Sequence, residues 1–168
     1  MVILNRSLAI GVLAVSALFA DDSDLLPTAI ERCLESPTVR ERVALAKTVN
    51  PFYLRGDFDG DGKPDYAVAV KGKQSGKLRV LMCVGNGRIF VLGSEGREVP
   101  FSDMPDDNFF APTWMVYTKS EATEIGKYSA NEPKKLPTIR GEVLVMWWED
   151  GMSAIYWAGS SFRWAGAR

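Results

Sequence analysis

The chain has no histidine and only two cysteines among its 168 residues. Histidine is the commonest general base in enzymes and a frequent zinc ligand, so its absence excludes His-dependent triads and Cys–His zinc sites. Two thiolates cannot complete the four-ligand set of a structural zinc site either. No other group of residues typical of catalysis is recognisable, and we predict that the protein is not an enzyme.

An excess of positive charge is also absent. Lysine and arginine number 20 against 21 aspartates and glutamates, which gives a formal net charge of −1. Surfaces that bind nucleic acid or anionic lipid usually carry a basic face. We therefore expect no nucleic-acid partner.

Long apolar runs are scarce, and the one that stands out lies at the start of the chain. Arg6 precedes an almost purely apolar segment from Leu8 to Phe19, and Ala17 and Ala20 offer small residues for cleavage. A basic start, an apolar core and small residues in this order are typical of a secretory signal. The apolar run is shorter than the roughly 20 residues that cross a bilayer. An uncleaved N-terminal anchor is the alternative.

This pattern predicts two parts: residues 1–20 as a signal peptide and residues 21–168 as one domain. The second part is long enough to bury a core of its own. We expect a secreted or periplasmic protein that has no membrane attachment after cleavage, whether cleavage follows Ala17 or Ala20.

The two cysteines are Cys33 and Cys83. In an oxidising compartment they can form a disulfide, and closing a loop of about 50 residues would stabilise the fold by about 4 kcal/mol in the chain-entropy model. Two buried, reduced thiols are the alternative, because free cysteine is among the most buried residue types.

Helical spacing is confined to the start of the domain. Apolar residues between Asp24 and Glu35 recur on one helical face, and Pro37 ends this helix. A second short helix is predicted after Thr38, because Val39 and Val43 would then share one side.

Apolar segments separated by turns predict strands over the rest of the chain. The predicted strands cover residues 66–70, 78–84, 88–92, 109–118, 142–148, 153–157 and 162–164, and the polar residues 119–140 are predicted to form an exposed loop. The fold class is thus α+β, mainly antiparallel β, with one or two short N-terminal helices followed by a β-meander.

The most informative segment is the aspartate loop that runs from residue 57 to residue 65. Aspartates stand at its first, third, fifth and ninth positions, and glycines follow the second and third of them: Asp57, Asp59, Gly60, Asp61, Gly62 and Asp65. Calcium takes six to eight oxygen ligands, which such a spacing can direct toward one centre. The carbonyl of Lys63 stands at the seventh position, where calcium loops use a backbone oxygen. The spacing therefore predicts a calcium site.

This loop differs from the helix–loop–helix calcium site. Its twelfth position is Val68 where that site has a bidentate glutamate, and it leads into a β-like segment. It resembles the calcium loop of FG-GAP and VCBS-type repeats in its aspartates and in the apolar strand from Tyr66 to Val70. The resemblance implies side-chain ligation by the four aspartates and carbonyl ligation by Lys63. It covers about fifteen residues and occurs once, so it implies the loop and not a β-propeller.

Other interpretations of the loop are weaker. An Asp-x-Asp-Gly segment also opens the phosphotransferase motif of haloacid dehalogenases, but that motif follows a buried apolar strand, and here Leu54-Arg55-Gly56 precedes the aspartates. The Asp-Gly-rich metal loop of phosphohexomutases belongs to a far larger enzyme. A solvated acidic turn without a metal is the remaining alternative.

Aromatic residues are concentrated near the C-terminal end. Trp147 and Trp148 precede Glu149 and Asp150, and Trp157 follows in the next predicted strand. Large aromatics on neighbouring strands usually fill a core. Exposed tryptophans beside an acidic pair could instead serve a secreted carboxylate-dependent glycoside hydrolase.

We thus expect an exported domain with a structural calcium ion that acts as a binding or interaction module for a protein or glycan partner not identifiable from the sequence. A secreted glycoside hydrolase and a structural component of the cell envelope are the competing hypotheses.

Overall fold

The computed structural model describes residues 26–93, 113–125, 139–149 and 151–167. These residues form two antiparallel sheets and three short helices. The predicted signal peptide, its cleavage sites, Asp24 and Asp150 lie outside the described residues.

The N-terminal half forms the first sheet and the two helices beside it. Helices α1 (Thr28–Glu35) and α2 (Pro37–Arg40) precede strands β1 (Val43–Leu45), β2 (Tyr53–Gly56), β3 (Asp65–Gly72), β4 (Leu78–Cys83) and β5 (Ile89–Leu92). The β3–β4–β5 segment is a meander, and β1 and β2 both pair with β3, at its end and its start respectively. The predominantly antiparallel β architecture is as predicted.

The second sheet contains strands in sequence order. It comprises β6 (Thr113–Tyr117), β7 (Val143–Trp148), β8 (Gly151–Trp157) and β9 (Phe162–Ala167), with helix α3 (Lys119–Ile125) after β6. Among the described residues, no helix has the length and apolar character needed to cross a bilayer.

The main core lies between the two sheets. Alternate residues of β3 and β4 face side chains of the second sheet, as the period of two in a strand requires. This cluster includes Ala67, Ala69, Val80, Met82, Trp114, Leu144, Met146, Ile155, Trp157 and Phe162. Phe58, from the aspartate loop, is 1% exposed and belongs to the same cluster, so the loop is anchored in the core.

Helices cover the outer faces of the sheets. Ile30 and Val39 of α1 and α2 pack on the outward side chains of the first sheet, and Ala122 of α3 packs on the second. Cys33 of α1 and Cys83 of β4 form a disulfide with a Cα–Cα distance of 6.0 Å. The pairing that the sequence left open is therefore present in the structure.

Two local predictions differ from the structure in part: the second helix is present but shorter, and the segment after Thr118 is not all loop. The second helix ends at Arg40, and Val43 begins strand β1, whose pairing with β3 outweighs the weak helical pattern. The segment after Thr118 begins with helix α3, although it was predicted as a loop. Thr118 and Glu121 form a capping box at its start, with the Glu121 Oε2 atom 2.8 Å from the Thr118 N–H nitrogen.

Candidate metal centre

The aspartate loop connects two paired strands. Gly56 at the end of β2 pairs with Asp65 at the start of β3, and residues 57–64 lie between them. Strands thus flank the loop on both sides, and the one that follows it, β3, was predicted from the sequence. Gly60 and Gly62 have φ values of +74° and +82°, which only glycine adopts readily, and they let the chain curl inside this short connection.

Three of the predicted ligands come together. Asp57, Asp59 and Asp61 each offer a carboxylate oxygen, and these three oxygens lie within 4.8 Å of one another. Asp59 is buried, Asp57 is half-buried and Asp61 is exposed, so the group reaches from the core to the surface.

The loop backbone folds around the first of these carboxylates. The Asp57 Oδ1 atom accepts hydrogen bonds from the N–H groups of Gly60 and Asp61 at 2.9 and 3.0 Å, and Oδ2 accepts one from the N–H of Gly62 at 3.0 Å. These bonds fix the carboxylate within the curl. Gly60 and Gly62 thus combine a backbone angle that favours glycine with a backbone N–H that donates to Asp57.

Asp61 is held by Lys63. The Asp61 Oδ1 atom accepts the Lys63 N–H at 2.8 Å, and the Lys63 Nζ atom lies 3.4 Å from Oδ2. The Lys63 N–H is the largest cause of a lowered pKa of Asp61, so this exposed carboxyl favours its ionised form. The sequence predicted that the carbonyl oxygen of Lys63 is a metal ligand, and this role stays a prediction.

Asp65 is in a different environment. Its side chain is fully buried. The Oδ2 atom accepts hydrogen bonds from the N–H groups of Phe58 and Asp59 at 2.8 and 3.2 Å, and Oδ1 accepts one from the N–H of Gly85 at 2.6 Å. Burial raises the pKa of Asp65, and the three N–H donors oppose that rise. Asp65 is not in the group of three carboxylates, so its place among the metal ligands stays a prediction.

The turn between β4 and β5 contributes two residues that the sequence prediction missed. The Asp59 Oδ2 atom accepts a hydrogen bond from Asn86 Nδ2 at 3.1 Å and another from Arg88 Nη2 at 2.9 Å. A signal for this contact was available, because the predicted hairpin of residues 66–70 and 78–84 brings the start of β3 beside the turn at residues 85–87.

A third segment, residues 140–142 just before β7, packs against the loop. The Glu142 Oε2 atom accepts the Asp57 N–H at 2.8 Å, and a Cβ atom added at Gly141 would lie 2.3 Å from the Asp57 carbonyl oxygen. A Cβ atom at Gly60 would lie 2.8 Å from the Arg140 carbonyl carbon. These glycines permit the close approach of the two backbones, and no local sequence pattern indicated it.

The carboxylates of this group retain the capacity to hold a metal ion. An ionised carboxylate has about four lone-pair positions. Asp57 and Asp59 each accept three hydrogen bonds and Asp61 accepts two, so each carboxylate retains capacity for a metal–oxygen bond. Three carboxylates with this remaining capacity could therefore hold a metal ion.

The aromatic residues near the C-terminal end are divided between core and surface. Trp157 is 4% exposed and packs between the sheets, whereas Trp147 is 38% exposed. Glu149 is exposed, and its predicted partner Asp150 lies outside the described residues. The burial of Trp157 agrees with core packing and makes it unsuitable for stacking on a sugar.

Comparison of the chain with protein-family models, with curated proteins and with solved structures gives no match. The chemistry of the loop is therefore inferred from its own residues.

Proposed function

We propose that the loop of residues 57–65 binds one calcium ion, which stabilises an exported domain that serves as a binding or interaction module. The partner of that module would be a protein or a glycan. The observation that carries the metal assignment is the approach of the Asp57, Asp59 and Asp61 oxygens to within 4.8 Å of one another.

The electrostatics of the loop support a cation. Three carboxylates at this separation repel one another, and a divalent ion at their centre would convert that repulsion into attraction. Because the same loop places Phe58 in the core, an ion that orders the loop would also stabilise the packing of the two sheets.

Calcium suits this loop better than magnesium. Calcium accepts six to eight oxygens in flexible geometry, whereas magnesium demands a near-ideal octahedron and keeps several waters. Binding at about 10⁻⁴ to 10⁻³ M would suffice in an extracellular compartment, where modules of this affinity occur.

The test is a pair of measurements on the purified protein: isothermal titration calorimetry with calcium, and thermal melts with calcium or with a chelator. Asp61→Asn is the informative variant, since the Asp61 side chain is exposed and accepts its hydrogen bonds from Lys63, so the substitution leaves the core intact. Glu41→Gln, an exposed carboxylate outside the loop, controls for the change in net charge.

We expect calcium to raise the melting temperature of the wild type and of Glu41→Gln. Asp61→Asn should bind at least roughly tenfold more weakly, as expected when an anionic ligand becomes neutral. Magnesium should give a smaller rise. Superimposable wild-type melts in calcium and chelator, with no heat of binding, would refute the proposal.

A further inference from the structure

We infer that Arg88 is a built-in counter-ion of the loop, which occupies Asp59 when no metal is bound and lowers the affinity of the site for divalent cations. The inference rests on the proposed function, since it concerns how that same site is tuned. It assigns an affinity-lowering role to a residue 29 positions away from Asp59 in the sequence.

The first step is the burial of Asp59. Its side chain is 3% exposed, and the Arg88 Nη2 atom lies 2.9 Å from its Oδ2 atom, which makes an ion pair. A charged carboxylate this deeply buried needs a positive charge or several hydrogen-bond donors close to it. Arg88 supplies the positive charge from the protein itself.

The second step is the way Arg88 is held. Its Nε atom donates to the Asn86 Oδ1 atom at 3.0 Å, and its guanidinium carbon lies 4.5 Å from the centroid of the Trp157 ring. These two contacts fix the guanidinium plane while one edge points to Asp59. Arg88 is therefore pre-positioned, and its pairing with Asp59 requires little further ordering.

The third step is competition. A divalent ion bound by Asp59 and its neighbours would share that carboxylate with a fixed positive charge, and like charges repel. Arg88 is not needed to orient the carboxylate, because Asn86 Nδ2 and the Asp61 N–H already bond to its two oxygens at 3.1 and 3.2 Å. The net effect of Arg88 is thus to weaken metal binding and to stabilise the metal-free loop.

The experiment is calorimetric titration of the full protein with calcium chloride at fixed ionic strength, with parallel melts in chelator. The variants are Arg88→Gln, which removes the charge, and Arg88→Lys, which keeps it. Lys71→Gln is the control of equal charge change, since this exposed lysine lies at the far end of β3, about 20 Å along the strand from Asp65.

We expect Arg88→Gln to bind calcium roughly three- to tenfold more tightly than the wild type, whereas Arg88→Lys and Lys71→Gln stay within about twofold of it. In chelator Arg88→Gln should melt at a lower temperature than the wild type, and calcium should remove most of that deficit. Equal or weaker binding by Arg88→Gln would overturn the inference and make Arg88 a residue that positions Asp59.

A second measurement needs no variant. The side-chain Nε resonance of Arg88 in the wild type should shift progressively as calcium is added, and an unchanged resonance at saturation would overturn the inference. The outcomes also separate the two proposals. Calcium binding by Arg88→Gln but not by the wild type would support the role of Arg88 and refute the proposed function, and binding by neither would refute both.

Discussion

Glu142 binds both backbone groups of Asp57. Its Oε2 atom accepts the Asp57 N–H at 2.8 Å, and its own N–H donates to the Asp57 carbonyl oxygen at 2.8 Å. The two residues are 85 positions apart in the sequence. This reciprocal pair joins the first residue of the aspartate loop to the segment that enters the second sheet, so it couples the candidate metal site to the packing of the two sheets.

Replacing Glu142 should reveal that coupling. Glu142→Ala should lower the free energy of unfolding by about 1–3 kcal/mol, because the half-buried Asp57 N–H loses its acceptor. The same variant should weaken calcium binding. Glu142→Gln retains a side-chain oxygen and should recover most of the stability. Urea unfolding and calorimetry measure the two effects, and equal stability of wild type and Glu142→Ala would contradict the assigned contact.

Asp65→Asn should destabilise the fold whether or not calcium is present. The Asp65 carboxylate accepts hydrogen bonds from the backbone N–H groups of Phe58, Asp59 and Gly85. An asparagine amide would turn its NH₂ group, which is a donor, toward at least one of these donors. We expect a loss of about 2–3 kcal/mol in urea unfolding, measured in calcium and in chelator. A loss seen only in calcium would instead place Asp65 among the metal ligands, as the sequence predicted.

The disulfide should contribute substantially to stability. Cys33 and Cys83 close a segment of 50 residues, for which the chain-entropy model gives about 4 kcal/mol. The double variant Cys33→Ala/Cys83→Ala should therefore unfold at a much lower urea concentration than the wild type. Adding a reductant should destabilise the wild type and leave the double variant unaffected. A wild type insensitive to reductant under unfolding conditions would argue against a bridge.

Glu121 should titrate below its ordinary pKa. The backbone N–H and the hydroxyl of Thr118 both donate to its carboxylate, and they lower the pKa of Glu121 from its usual 4.5. The folded state favours the ionised form of Glu121. The stability that this carboxylate contributes to α3 is therefore fully present above the pKa of the unfolded state, and it is lost as the pH falls through the pKa of the folded state.

NMR titration of the Glu121 carboxyl carbon gives this pKa directly. In Thr118→Val the hydroxyl is removed and the backbone donor remains, so the pKa should return only part of the way. A Glu121 pKa at or above the ordinary value would show that the capping box is absent in solution.

The loop could be predicted from the sequence because its information is local. Aspartate spacing and two glycines specify a curl that the structure contains, and Asp57, Asp59 and Asp61 meet as their spacing implies. The turn at residues 85–87 and most strands were likewise marked by short-range patterns. The predicted meander was correct in kind, although its strands divide between two sheets.

The residues around the loop could not be predicted in this way. Glu142 reaches the aspartates through sheet packing that no sequence pattern indicated. Arg88 reaches them through the pairing of β3 with β4, so its only signal lay in the predicted hairpin and not in the loop itself. Val43 was misassigned because a three-residue strand is too short to show a period of its own. Asp65 illustrates a different limit, since spacing cannot distinguish a metal ligand from an acceptor of backbone N–H groups.

The distance in sequence between Asp57 and Glu142 also bears on when the loop can be completed. Joining residues this far apart requires closure of a segment of 85 residues, and such non-local contacts form slowly compared with local turns. A peptide that carries only residues 53–72 would contain every predicted ligand and none of the partners contributed by residues 85–88 and 140–142. The contacts that hold the loop from outside are thus a property of the assembled domain, reached only after both halves of the chain have met.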